Sequence, residues 1–159
     1  MEKEDIQTKT VRSPKLYDLT SLQRDANRIF GYTAQQTLGA VQEMYKKKLV
    51  TYPRTDSQYL TDEMGERTRK LIQVLLSRMP FAEGIEYEPE VSKVLNSKKV
   101  SDHHAIIPTS EVEKADLQKL KEKERNILYL ISARVLTATA DSYIYETHKC
   151  QLNCNFHTF

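Results

Sequence analysis

Apolar residues recur at helical spacing along most of this chain and switch to alternation only near its two ends. Leu22, Ala26, Ile29 and Phe30 mark a first helix that stops at Gly31, and Thr20 with Gln23 three residues later supplies a capping box for its start. Thr33 and Gln36 repeat the device, and Leu38, Val41, Tyr45 and Leu49 carry a second helix that must end before Pro53. A third helix begins near Thr61. Its face is Met64, Thr68, Leu71, Leu75 and Met79, widened by Ile72 and Leu76, and Pro80 closes it. Residues 81–109 are irregular, with prolines at 89 and 108; two helical stretches follow between 114 and 140, the second carrying Ile127, Leu128, Ile131 and Val135.

The ends differ. "IQTKTV" near the start and residues 143–159 are extended, so the expectation is a mainly α body, 14–141, between strand stubs at 1–13 and 142–159. Stubs without a sheet of their own are marginal. The chain therefore reads as an insertion cut from a larger, strand-bearing protein. In "CQLNC", Cys150 and Cys154 fall on the apolar phase of an alternating run, which predicts buried strand cysteines about 13 Å apart, too distant for a bridge or a shared metal.

Composition adds limits. A chain of 159 residues is long enough for one domain with a real core. A formal charge of +2 does not by itself announce a nucleic-acid binder. Lys46, Lys47 and Lys48 cluster before residue 50, and Arg24 and Arg28 lie one helical turn apart; a solvated helix face accounts for either group. No apolar run is long enough to span a bilayer and no signal-peptide pattern opens the chain, so the expectation is a soluble, cytoplasmic protein without a membrane partner.

Chemistry concentrates in two short stretches. In "VTYPRTDS", Pro53 stiffens the backbone and keeps residue 52 out of helical geometry, so Tyr52 and Arg54 share one side of an extended segment. A phenol is a poor nucleophile at neutral pH; a guanidinium beside it favours the phenolate and binds phosphate oxygens in pairs. That is a minimal kit for attack on a phosphodiester. A ring packed on the core beside a solvated arginine fits the same residues. In "SDHHAIIPT", His103 and His104 are neighbours that face opposite ways on an extended chain, so they do not make a metal pair, and no metal ligand set is predicted. Surface histidines fit them equally.

Three stretches together carry a resemblance. "LYDLTSLQRDANRIFGYTAQQTL", "KKLVTYPRTDSQYL" and "SDHHAIIPT", in this order over roughly residues 14–110, resemble the tyrosine-bearing region of type IA DNA topoisomerases, most of all the topoisomerase III branch. The resemblance implies that Tyr52 is the nucleophile, forming a 5′-phosphotyrosine link to one DNA strand and freeing a 3′-hydroxyl. Relaxation or decatenation then needs no ATP. By it Arg54 holds the phosphate, and His103, aligned with the histidine of "HEAIRPT" in the topoisomerase I branch, positions the phosphate or relays a proton. His104 stands where that branch has glutamate. Gln23, Arg24, Asn27 and Arg28, with Asp56, Ser57 and His104, are its candidate single-stranded DNA contacts.

The family's fold makes this region a helical domain with a winged-helix-like unit, inserted in a β arch. Intact members also carry an acidic domain that holds Mg²⁺ and completes the site. No Asp-x-Asp cluster of that kind occurs here, so the expectation is a fragment that binds no metal and is inactive until joined to that domain. Tyr52, Arg54 and His103 should then line one surface, near one another but spaced for a phosphate, at roughly 5–10 Å. Two other classes fit parts of the pattern: a stand-alone winged-helix DNA-binding module, and a fragment of a tyrosine recombinase or relaxase.

Overall fold

The computed structural model describes residues 4–151 and the backbone of 153–154 and 157–158. The chain forms two compact units, one of residues 14–140 and one built from the two terminal stretches.

The larger unit is mainly helical. Helix α1 (Leu19–Phe30) starts two residues earlier than the Thr20–Gln23 pairing predicts. Asp18 is the cap: its carboxylate accepts the Ser21 N–H at 2.8 Å, and Ser21 Oγ accepts the Asp18 N–H at 3.2 Å. An aspartate with extended backbone directly before the first turn outcompetes a threonine already inside it. Gly31 ends the helix at φ 72°, a left-handed position that costs glycine little. Helix α2 (Ala34–Lys46) opens with the anticipated Thr33–Gln36 box. Its buried face is Thr37, Ala40, Val41 and Met44, so the stripe is rotated from the predicted one and leaves Tyr45 exposed. Helix α3 (Gly65–Arg78) follows a single 3₁₀ turn at Asp62–Met64 and buries Thr68, Leu71, Ile72 and Leu75. The region from 114 to 140 holds one long helix, α4 (Glu122–Ala138), preceded by the 3₁₀ turn Leu117–Lys119 rather than by a second helix.

Helices α1, α2 and α4 pack together, with α3 against α4. Ile127, Leu128 and Ile131 of α4 are fully buried beside Leu22, Val41, Met44 and Ile72. Glu124, in the first turn of α4, is 3% exposed and accepts Lys47 Nζ at 2.8 Å, closing α2 onto α4. Lys46 pairs with Glu43, so two of the three clustered lysines have partners within the fold.

In the second unit, strand β1 (Glu4–Val11) pairs antiparallel with β2 (Tyr143–Cys150), Glu4 opposite Cys150 and Val11 opposite Tyr143. The two stubs thus supply each other's partner. A two-residue ladder, β3 (Asn153–Cys154) with β4 (His157–Thr158), follows. Cys150 is exposed and free, against the expectation of burial: among the described residues β2 belongs to a two-stranded sheet, and its last three residues are all exposed; the Cys154 side chain lies outside the described residues. Among the described residues no helix is long and apolar enough to cross a membrane.

Candidate active site

After α2 the chain turns through Lys48, at φ 61°, and buries Leu49 and Val50. This pair starts a seam with the histidine stretch. Val50 bridges Pro108 antiparallel; the Thr51 N–H donates to the Ile107 carbonyl at 3.0 Å and the Thr109 N–H to the Leu49 carbonyl at 2.9 Å. Threonine hydroxyls extend the seam. Thr51 Oγ1 accepts the Ile107 N–H at 3.0 Å and donates to the Ala105 carbonyl at 3.3 Å, while Thr55 Oγ1 donates to the His103 carbonyl at 3.1 Å. Thr109 Oγ1 donates to the Lys48 carbonyl. The Ala105 N–H reaches the Tyr59 carbonyl at 2.9 Å. Sequence neighbours of Tyr52 are thereby fixed to those of His103, although the two lie far apart in the chain.

The seam sets the geometry. The Tyr52 and His103 rings lie with centroids 4.2 Å apart, tilted by 36°. Ring contact is tighter than the spaced arrangement the sequence suggests. The register of the seam puts Ile106 rather than His103 opposite Tyr52, so the two rings meet diagonally, while the Thr55 hydroxyl's bond to the His103 carbonyl holds the histidine end of the stretch close. Tyr45 completes the setting from the last turn of α2, edge-on to Tyr52 at 5.5 Å and 77°. The Tyr52 ring thus sits half-buried between Tyr45 and His103. Arg54 is exposed and, with His103, Asp56 and Asp102, lines an open depression of about 400 Å³ whose wall includes Thr55 and the α1 residue Thr20. Tyr52 is outside that lining and meets it through the His103 ring.

The histidine stretch is anchored on its other side by Tyr17. The Ile106 N–H donates to the Tyr17 carbonyl at 2.8 Å, and the Tyr17 phenol donates to Asp25 Oδ2 at 2.7 Å. Arg134 of α4 donates to Asp25 Oδ2 at 2.5 Å, to the Tyr17 oxygen at 3.0 Å and to the Lys15 carbonyl at 3.1 Å, with its guanidinium 4.0 Å from the Tyr17 ring centroid. Burial and the hydrogen bond to Asp25 push the Tyr17 phenol well above its ordinary range. Burial alone would raise Asp25, but hydrogen bonds from Tyr17 and Arg28 and the Arg134 charge outweigh it, and the carboxyl is lowered.

The other predicted DNA contacts separate into two groups. Gln23 donates its amide to the Ala34 carbonyl at 3.0 Å and Asn27 to the Tyr32 carbonyl at 3.0 Å, so both brace the α1–α2 turn. Ser57 is 4% exposed, with its hydroxyl donating to the Lys99 carbonyl at 2.8 Å, an internal position rather than the surface one a DNA contact needs. His104 Nδ1 donates to the Ala105 carbonyl at 2.7 Å. Arg28 is exposed and pairs with Asp25 at 3.3 Å; Arg24 and Asp56 are exposed. Tyr45 is the residue sequence reasoning missed, because its helical spacing placed it in the core stripe. Among the described residues no three of His, Cys, Asp and Glu gather as a metal site.

A family profile described as DNA topoisomerase matches residues 1–159. The chain is 39% identical over 159 residues to DNA topoisomerase 3 of Bacillus subtilis, covering 92% of this chain and 21% of that protein. The same figures hold for DNA topoisomerase 3 of Bacillus licheniformis. In structure it is similar to full-length topoisomerase I from Thermotoga maritima, with a TM-score of 0.65 and 22% identity over 96% of this chain and 25% of that one. The chain thus spans about a fifth of the length of these topoisomerase 3 relatives.

Proposed function

Since this chain belongs to the DNA topoisomerase family, we propose that it carries the nucleophile of a type IA enzyme, with Tyr52 attacking one strand of DNA. The Tyr52–His103 ring contact, beside a depression that Arg54 and His103 share, carries this reading. In the proposed step the Tyr52 oxygen gives up its proton, to His103 or water, and bonds to phosphorus. The P–O3′ bond breaks, its electron pair stays on the 3′ oxygen, and that oxygen takes up a proton. Arg54 holds the non-bridging phosphate oxygens and offsets their charge as the transition state forms. One phosphodiester replaces another, so religation is the reverse step and no ATP is consumed.

Mg²⁺ would belong to an acidic domain elsewhere in a parent protein, where it would help hold the scissile strand; none of the residues described above is assigned to it. On this reading the helical unit includes the family's winged-helix-like element, the paired termini belong to its β arch, and single-stranded DNA is the partner. The isolated chain binds such strands weakly and leaves plasmid topology unchanged. The test uses the full-length parent protein and a 3′-labelled single strand, trapped by denaturation. Wild type should yield a labelled covalent adduct, and Tyr52→Phe none, with strand binding retained because the ring survives. Adduct formation by the Phe variant would place the nucleophile elsewhere, and duplex binding without any adduct in wild type would favour a winged-helix binding module.

A further inference from the structure

The seam that joins Tyr52's segment to His103's has a second face. Alternation along extended chain turns Thr51 and His104 away from their neighbours Tyr52 and His103, and both line a separate recess of about 280 Å³. Helix α3 forms its opposite wall. Leu71, Val74 and Met64 face Ile107 and Pro108 across it, so the interior is largely apolar. Arg67 and Lys70, one turn apart on α3, stand in the lining, and neither has an ion-pair or hydrogen-bond partner among the described residues. His104 also lines the recess, with its Nδ1 donating to the Ala105 carbonyl at 2.7 Å. Glu113 is the one carboxylate in the lining.

An apolar recess with a few convergent polar groups is the usual form of a small-molecule site. Two cations without partners, against one carboxylate, select the sign of the ligand. We propose that this recess binds a small organic anion, with a flat apolar body between Leu71, Val74 and Ile107 and a carboxylate, sulfonate or phosphate head held by Arg67 and Lys70. The site is distinct from the Arg54–His103 depression but shares its backbone, since Thr51 and His104 adjoin Tyr52 and His103. Occupancy therefore reaches the candidate active site through two peptide bonds rather than by blocking it.

Naphthalene-2-sulfonate is a suitable probe, titrated into the ¹⁵N-labelled chain and followed by amide shifts. The expected result is a saturable one-site response at Thr51, Leu71, Val74 and Ile107, with smaller shifts at Tyr52 and His103. Neutral 2-naphthalenemethanol should bind about tenfold more weakly or worse, as loss of one charge-assisted pair predicts. The double variant Arg67→Ala/Lys70→Ala, confined to exposed positions, should show the same loss, and Val74→Trp should abolish the response by filling the recess. No saturable shift, shifts centred elsewhere, or equal affinity for the neutral analogue would overturn the proposal. None of these measurements depends on Tyr52 attacking DNA, so their failure leaves the proposed function standing.

Discussion

Replacing Arg134 by methionine removes a guanidinium while keeping most of the apolar stem that reaches it. The wild-type group donates to Asp25, to the Tyr17 oxygen and to the Lys15 carbonyl, and lies over the Tyr17 ring. Hydrogen bonds involving a charged partner contribute about 1.5–3 kcal/mol each, and a cation–π contact about 0.5–2 kcal/mol. These contacts share one side chain and do not add. Arg134 is also 20% exposed and Asp25 16%, which lowers the cost of leaving Asp25 unpaired. The expected loss is about 3 kcal/mol, or a fall in the urea midpoint of about 1.5–2 M. Helical circular dichroism during urea titration measures it, in Arg134→Met, Asp25→Asn and the double variant. The pair should couple by at least about 1 kcal/mol. The folded state holds Asp25 below its unfolded value, so its contribution is present above about pH 4 and fades as pH falls through the folded value. Tyr17 is raised, so its contribution is complete below about pH 10 and is lost as pH rises beyond that. Asp25→Asn should remove the acid-side dependence. A loss under about 0.5 kcal/mol, or additive single variants, would refute the idea that this cluster fixes the histidine stretch to the helices.

Two further predictions concern the approach to Tyr52. Tyr45→Ala, tested in the full-length parent protein, should slow single-turnover adduct formation about tenfold while strand affinity changes little, because the edge contact orients the nucleophile's ring; Tyr45→Phe should restore the rate, and equal losses in rate and affinity would instead make Tyr45 a DNA contact. Lys48→Gly should stabilise the fold by about 0.5–1 kcal/mol, read by thermal or urea denaturation, since a left-handed non-glycine residue is relieved of its Cβ clash.

The helical body is legible in the sequence, because Leu22 and Ala26, Leu71 and Leu75, and Ile127 and Ile131 recur at a spacing that a helix turns to one side, and all six are buried. Sequence reasoning misplaced what local pattern does not encode. Asp18 and Thr20 both suit a cap, and the choice depends on where the chain enters from Tyr17, which is fixed by its bridge to Ile106. Tyr45 fits a helical stripe as well as Met44 does; one residue step around α2 separates core from site. The meeting of "TYPRT" with "DHHAIIPT" was suggested by resemblance, whereas its physical cause is the pairing of Thr51, Thr55 and Thr109 with carbonyls distant in sequence. Periodicity cannot reveal such a pairing.

That threonine seam also changes how residues 61–102 should be regarded. They leave from one side of the seam and return to the other, so the Tyr52–His103 alignment is closed at their base and does not rely on their length. Enlarging a closed excursion costs little, about 0.6 kcal/mol for each doubling of a flexible loop. Its outer bend, the exposed run Glu83–Glu86 with Gly84 at φ 76°, is a natural place for added sequence. The family could therefore acquire whole new surfaces there, or an experimenter a reporter domain, while the paired rings stay in register.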